Sequence, residues 1–387
     1  MTDKEITTDN WGVPPFNRWS FQNVQLLFPT TRIRRGAGPV TEFGSDAQDL
    51  DGISYVGLDG SNRSVRQMLE ASYTDSFLVA KNGVILCDQY FNDMAVDSHH
   101  LLNSITKSYV GMLTGNLVEQ GCLQVDDAVT QYLPELLETA FSGTTVRHVL
   151  DMSAAVEYGE DYADPDADFW IESAVVGWRP ALVNDDSATS LLDYARSLQA
   201  KEQLDGEKYH YRSVLTNVLG MVLERASGRK LQDLLQTEIW SPLGPEQDAA
   251  IVVDRMGFPY VGAGMNACAR DLARFGQMIV QRGFFNGRQI VPAAWIDDAR
   301  YADAHAATIF AASEYGEFMP GGHYRNKLWV MDAEKGVMLA IGIHGQTIYM
   351  DMSTGVVIVK LSSQPESAAM EMFSDTFAAM GAISGAV

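Results

Sequence analysis

Ser76-Phe-Leu-Val-Ala-Lys-Asn-Gly-Val-Ile-Leu-Cys-Asp-Gln-Tyr90 is the stretch whose reading decides the fold. Two apolar, β-rich runs, Ser76 to Ala80 and Val84 to Tyr90, flank Asn82-Gly83. An Asn-Gly pair tolerates positive φ at both central positions and matches the twist of paired strands, so the stretch reads as a β-hairpin. Further strand candidates lie near the other end of the chain. They are Leu328 to Met331, Val337 to Ile343, Thr347 to Asp351 and Val356 to Leu361, with turns at Lys335-Gly336 and Ser353-Thr354-Gly355. Spacing this short predicts an antiparallel meander.

The residues between are helical in pattern. Ser108 to Gln120 carries Val110, Leu113, Leu117 and Val118 on one stripe and stops at Gly121. Val146 to Met152, Ser190 to Leu198, Val214 to Ala226, Leu231 to Trp240 and Asp271 to Gln281 follow. Strands from both ends and helices from the middle predict an α+β fold: one antiparallel sheet flanked by helices, with a helical domain inserted. The expected division is a sheet domain from residues 1–115 and 250–387, a mostly helical domain from 116–249, and an active site between them.

The chain has 387 residues, 46% of them hydrophobic, and a formal charge of −22 from 50 acidic and 28 basic side chains. That is enough apolar material for a large core. The charge argues against nucleic acid and anionic membranes, whose phosphates call for clustered Lys and Arg; it reads mainly as surface solvation. Met1 to Glu5 lacks the pattern of a secretory signal, and no apolar run approaches the roughly 20 residues that span a bilayer. Cys87, Cys122 and Cys268 are scattered, with no CxxC or Cys/His cluster for zinc. A cytoplasmic enzyme without metal or organic cofactor is expected.

Ser104-Ile-Thr-Lys107 places a hydroxyl and an amine three residues apart at a helix start, where they share a face. Serine attacks a carbonyl well only when a base takes its proton, and lysine is such a base only when burial or a neighbouring cation lowers its pKa. A second copy, Ser227-Gly-Arg-Lys230, follows a helical run and contains a glycine, so it reads as a helix stop. Tyr211-Arg-Ser213 precedes a predicted helix and can offer a phenol to the Ser-Lys pair. His344-Gly-Gln346 ends a predicted strand, where backbone amides can bind an oxyanion; His344 itself reads as a structural or pocket residue rather than a base. Gly262-Ala-Gly-Met-Asn-Ala267 mimics a dinucleotide loop without the strand-turn-helix setting, and is set aside.

Ser104-x-x-Lys107, Tyr211-x-Ser213 and a late Gly-rich strand end occur in the order seen in serine β-lactamase-like enzymes. Gly121 to Pro134, Val146 to Leu150 and Cys268 to Gly276 resemble class C β-lactamases and related family VIII esterases. Pro14 to Trp19, Tyr73 to Val79, Asp151-Met152, Glu160 to Pro165, Gly177-Trp178, Gly342 to Gln346 and Val357 to Ser363 more closely resemble the nylon-oligomer (6-aminohexanoate-dimer) hydrolases.

The resemblance implies a β-lactamase/transpeptidase-like fold. It implies Ser104 as nucleophile, Lys107 as base, Tyr211 as proton partner, and the amides of Ser104 and Ile343 as oxyanion hole. Tyr162, Trp178 and His344 are implied pocket residues. Ser173 stands where efficient nylon-dimer hydrolases carry an Asp for the substrate's ammonium; Glu172 and Asp168 are the nearby carboxylates. Ala340-Ile-Gly342 replaces the Lys-Thr-Gly of β-lactam-binding relatives. The implied activity is acyl-enzyme hydrolysis of short-chain esters and possible linear amides in an aromatic, apolar pocket. The alternative is a weak β-lactamase, or a penicillin-recognising or peptide-binding module that acylates without turnover. Relatives of this kind are often homodimers.

Overall fold

The computed structural model describes residues 6–179 and 188–387. Met1 to Glu5, the segment lacking a signal pattern, lies outside them. The hairpin forms as expected: β1 (Thr74–Lys81) and β2 (Val84–Tyr90) are joined by Asn82 and Gly83, with φ of 49° and 79°. The late strands are β3 (His323–Arg325), β4 (Leu328–Asp332), β5 (Val337–Gly342), β6 (Gln346–Asp351) and β7 (Val356–Ser362). The sheet runs β3-β4-β5-β6-β7-β1-β2, and Gly44–Ser45 adds a short parallel edge beside β2. All the other pairings are antiparallel. The two chain ends meet where β7 pairs with β1, from Val356 opposite Lys81 to Ser362 opposite Thr74. Both strands are almost wholly buried, so helices cover both faces of the sheet there.

The key helix is α1 (Ile105–Glu119), every residue of which is buried from Ile105 to Leu117. The apolar stripe read from the sequence underestimates it, because this helix is enclosed all round and begins three residues earlier than expected. The expected division after residue 115 therefore falls inside a continuous helix. Two glycines let α1 sit close to its neighbours. A Cβ on Gly111 would lie 2.1 Å from the Asn326 carbonyl oxygen, and one on Gly115 would lie 2.5 Å from the Trp295 ring. The Trp295 indole fixes this contact by donating to the Gly111 carbonyl at 3.0 Å.

Next come α2 (Asp168–Val175), α3 (Ser213–Ser227) and α4 (Ala269–Val280). Helix α4 packs on β7, where Gly276 leaves room for Val357. The expected helix from Leu231 to Trp240 changes type: an α-turn at Leu231–Leu234 passes into π-helix at Leu235–Trp240. The helices Ala293–Tyr301, Ala304–Ala311 and Met370–Ala386 escaped the sequence pattern, and so did the strands of a further sheet. His100–Leu101, Met265–Ala267, Ala249–Val252 and Thr30–Ile33 form a second, four-stranded sheet. These strands are too short for period-2 alternation to register, yet His100–Leu101 delivers the chain directly to Ser104. Among the described residues, no helix is long and apolar enough to cross a membrane.

Gly115→Ala forces the Trp295 ring to move in a close-packed interior. The expected loss is about 1–3 kcal/mol of stability, read by chemical denaturation, whereas an alanine at exposed Gly52, where a Cβ meets nothing, should cost less.

Candidate active site

Ser104 stands at the turn between His100–Leu101 and α1. Asn103 before it has φ of +47°, a left-handed conformation that asparagine tolerates better than most residues. The Asn103 side chain donates to the Ile343 carbonyl at 3.0 Å, tying this turn to the end of β5. Gly342 makes that approach possible: a Cβ there would lie 2.4 Å from the Leu102 carbonyl oxygen.

Lys107, one turn into α1, is 1% exposed. Its Nζ lies 2.7 Å from Ser104 Oγ, 2.9 Å from Ser213 Oγ and 2.7 Å from the Gly262 carbonyl oxygen. Burial pulls its pKa down to about 8, and the carboxylates of Glu160 and Glu172 limit the fall. The pattern of donors then decides what the amine can do. The Gly262 oxygen only accepts. The Ser213 hydroxyl gives its own hydrogen to Glu160 Oε1 at 2.6 Å, so toward Lys107 it too accepts. A neutral amine with two N–H bonds committed to these oxygens has its lone pair left for Ser104. In its neutral form Lys107 thus turns its free valence toward Ser104 Oγ.

Tyr211 closes the other side. It lines the pocket beside Ser104, and its ring lies 4.9 Å from Lys107 Nζ. The ring stacks on Trp329 at 5.5 Å. Burial pushes its pKa well above 10, so Tyr211 is a neutral phenol, fit for a relay and not for a phenolate. Tyr162 donates to Glu160 Oε1 at 2.7 Å. Glu160 also accepts the Ser213 N–H at the start of α3, where a helix favours negative charge. Burial raises the Glu160 pKa, and Lys107 chiefly opposes that rise.

The pocket beside Ser104 has a volume of about 70 Å³, with Tyr162, Tyr211, Phe318, Trp329, Ile341 and Ile343 in its walls. It opens toward a cleft of about 980 Å³ that shares Tyr162, Tyr211 and Tyr315. Asp161, Glu202, Glu314 and Glu366 line that cleft. Part of the acidic excess thus faces the site, beside the larger part read as surface solvation. Among the described residues, no group of three His, Cys, Asp or Glu is placed to hold a metal ion.

The structure brings Ser104, Lys107, Tyr211, Tyr162 and Ile343 together. The other expected residues lie elsewhere. Ser173 is fully buried and its hydroxyl is turned back to the Phe169 carbonyl at 2.7 Å. Glu172 is equally buried, and Asp168 accepts the Gly159 N–H at 2.8 Å, so neither stands free in Ser173's stead. Trp178 packs edge-on against Trp11 and Tyr260. His344 has φ of +62°, bonds the Gln364 carbonyl and Ser367, and is held neutral by burial, which lowers its pKa to about 4. It is a structural residue of the turn after β5. Two contributors escaped the sequence reading. Glu160 appeared only as part of a motif, and Gly262 belongs to the glycine run set aside as a dinucleotide mimic. A backbone carbonyl leaves no sequence signal.

Comparisons with known proteins bear on the family and the fold. The β-lactamase family profile matches residues 62–379. The chain is 33% identical over 364 residues to the 6-aminohexanoate-dimer hydrolase of Paenarthrobacter ureafaciens, covering 94% of this chain and 89% of that one. A Bacillus anthracis protein provisionally described as a 6-aminohexanoate-dimer hydrolase superposes with a TM-score of 0.91 at 26% identity, covering 100% of this chain and 98% of that one. The D-stereospecific amidohydrolase of a Streptomyces species shares the fold at 16% identity, with a TM-score of 0.59 over 79% of this chain and 96% of that one.

A base that loses its proton near pH 8 makes Ser104 more reactive as pH rises through that value. Labelling of Ser104 by an organophosphonate, followed by intact mass, should therefore accelerate from pH 6 to a plateau above about pH 9. A rate independent of pH across this range would remove Lys107 as the base.

Proposed function

The chain belongs to the β-lactamase family, and from that premise we propose that it is a serine hydrolase working through an acyl-enzyme on short-chain carboxylic esters and, more slowly, linear amides. The observation that carries this reading is the buried amine of Lys107, whose Nζ lies 2.7 Å from Ser104 Oγ.

Lys107 takes the Ser104 proton as Oγ attacks the carbonyl carbon. The amides of Ser104 and Ile343, residues that both line the pocket, receive the developing oxyanion. The tetrahedral adduct collapses and expels an alcohol or amine, which takes the proton from Lys107 by way of the Tyr211 hydroxyl. Water enters, gives a proton to the same pair and attacks the acyl carbon. The acid leaves and Ser104 recovers its hydrogen.

Two features support the substrate class. A pocket of about 70 Å³ holds only a few heavy atoms, since one water needs roughly 10–15 Å³ on this measure. Ile341 stands in the wall where β-lactam-binding relatives carry a threonine beside a lysine, so no cation there reads a substrate carboxylate. Esters come first because alkoxides leave more easily than amide anions. Linear amides such as 6-aminohexanoate oligomers come next, by analogy with the Paenarthrobacter enzyme.

Wild-type protein should hydrolyse p-nitrophenyl acetate and butyrate, and octanoate more slowly. Ser104→Ala should abolish turnover, and Lys107→Ala should cost about 10²–10⁴-fold. Equal rates for wild type and Ser104→Ala would defeat the reading. A one-equivalent burst without steady state would favour an acylating binding module instead. Tyr162 lines the pocket beside Ser104, and the resemblance to nylon-oligomer hydrolases supports its contact with a leaving nitrogen. Tyr162→Phe should thus depress amide cleavage far more than ester cleavage, and equal losses on both would remove that role.

A further inference from the structure

Behind Lys107 lies a chain of buried hydrogen bonds that the catalytic steps above do not use. Glu172 on α2 is completely buried. Its Oε2 accepts from the Tyr158 hydroxyl at 2.7 Å, and its Oε1 accepts from Asn217 Nδ2 at 2.7 Å. Asn217 Oδ1 in turn accepts the Gly262 N–H at 2.8 Å, and the Gly262 carbonyl accepts from Lys107 Nζ at 2.7 Å. Asn217 sits one helical turn beyond Ser213 on α3, so one face of this helix supplies two of the supports around Lys107.

A side-chain amide is ambiguous on its own: either end can face either partner. Here the ionised Glu172 offers only acceptor oxygens on one side, and Gly262 offers an N–H on the other. The carboxylate therefore fixes which way the Asn217 amide points. The amide fixes the peptide of Gly262, and Gly262 presents its carbonyl to the amine.

We propose that Glu172 and Asn217 are positioning residues for Lys107, acting through the Gly262 backbone to hold the amine with its lone pair toward Ser104. The proposal rests on the hydrolase reading for its consequence in rate, and on geometry alone for its effect on Lys107. The polar groups facing Glu172 are Tyr158, Asn217, Tyr194 and Tyr260, with Glu160 and Lys107 beyond. Lys107 is the one cation among them, so the charge of Glu172 favours the ammonium form. The buried carboxyl titrates near 7, in the range where the lysine begins to lose its proton.

Glu172→Gln retains an oxygen for Asn217 and loses the charge. Glu172→Leu removes the acceptor, and Asn217→Ala removes the amide while leaving Glu172 in place. Two readouts apply to each: the Ser104-dependent esterase rate against pH, and the ¹³Cε titration of labelled Lys107, assigned with Lys107→Met. Glu172→Gln is expected to keep a near-wild-type plateau, with its acidic limb moved to lower pH. Glu172→Leu and Asn217→Ala are expected to lose about a hundredfold in kcat with little change in KM, as misplacement of a catalytic group predicts. The Lys107 midpoint of Glu172→Leu should fall below that of Glu172→Gln, because the Gly262 carbonyl is displaced in addition to the loss of charge, and that of Asn217→Ala, which keeps the charge, should fall below wild type. Wild-type plateaus and midpoints in folded Asn217→Ala would overturn the proposal, as would equal losses in Glu172→Gln and Glu172→Leu. If wild type shows no Ser104-dependent hydrolysis, the hydrolase reading fails, and the Lys107 titration still decides the relay.

Discussion

A lysine amine in the first turn of a buried helix is the constraint on which the rest of the structure depends. Burying an amine without partners is costly, and the protein answers with three oxygens arranged around it. Each oxygen comes from a different part of the chain: the start of α1, the start of α3, and the loop before Met265–Ala267. The amine is thus the point where three segments must agree. Satisfying it and aiming it are the same act, since two acceptors take its N–H bonds and leave the third direction to Ser104. Residues that look structural in isolation, such as Gly262, are there because the lysine needs them.

Close backbone approach is the second theme. Gly111, Gly115, Gly276 and Gly342 each stand where a Cβ would collide with a neighbour. They bring α1 against Trp295, α4 against β7, and the end of β5 against the turn carrying Ser104. The nucleophile and the strand end reach each other because Gly342 has nothing to interpose. Asn103 then fastens the two with a side-chain hydrogen bond.

The hairpin around Asn82-Gly83 was legible because its turn chemistry is local. The meander from Leu328 to Ser362 was legible because apolar runs alternate with turns, and joining both ends in one sheet followed from counting elements. Ser104, Lys107 and Tyr211 could be found because side chains at fixed spacing carry their own chemistry. What stayed hidden is of another kind. The strand His100–Leu101 is held by distant partners and has no pattern of its own. Burial of all sides of α1 depends on what surrounds it. Ser173 was placed in the pocket by spacing from Glu160-Asp-Tyr162, and spacing does not say which way a side chain turns on α2. The part of Glu160 emerged only when Ser213 and Tyr162 were seen to converge on it.

The acidic cleft adds a feature of a different character. Asp161, Glu202, Glu314 and Glu366 line it, and among the described residues in its walls none is Lys or Arg. Nearby Arg212 is already spent on Glu202, and burial holds the pKa of His210 down. For a hydrolase the asymmetry bears on traffic rather than on bond breaking. A neutral ester or amide enters this vestibule without electrostatic cost. The carboxylic acid made inside ionises and finds itself among charges of its own sign. Under the proposed ester or amide hydrolysis, the vestibule would work as an outward gradient for product, clearing the nucleophile for the next substrate and discouraging the acid from returning.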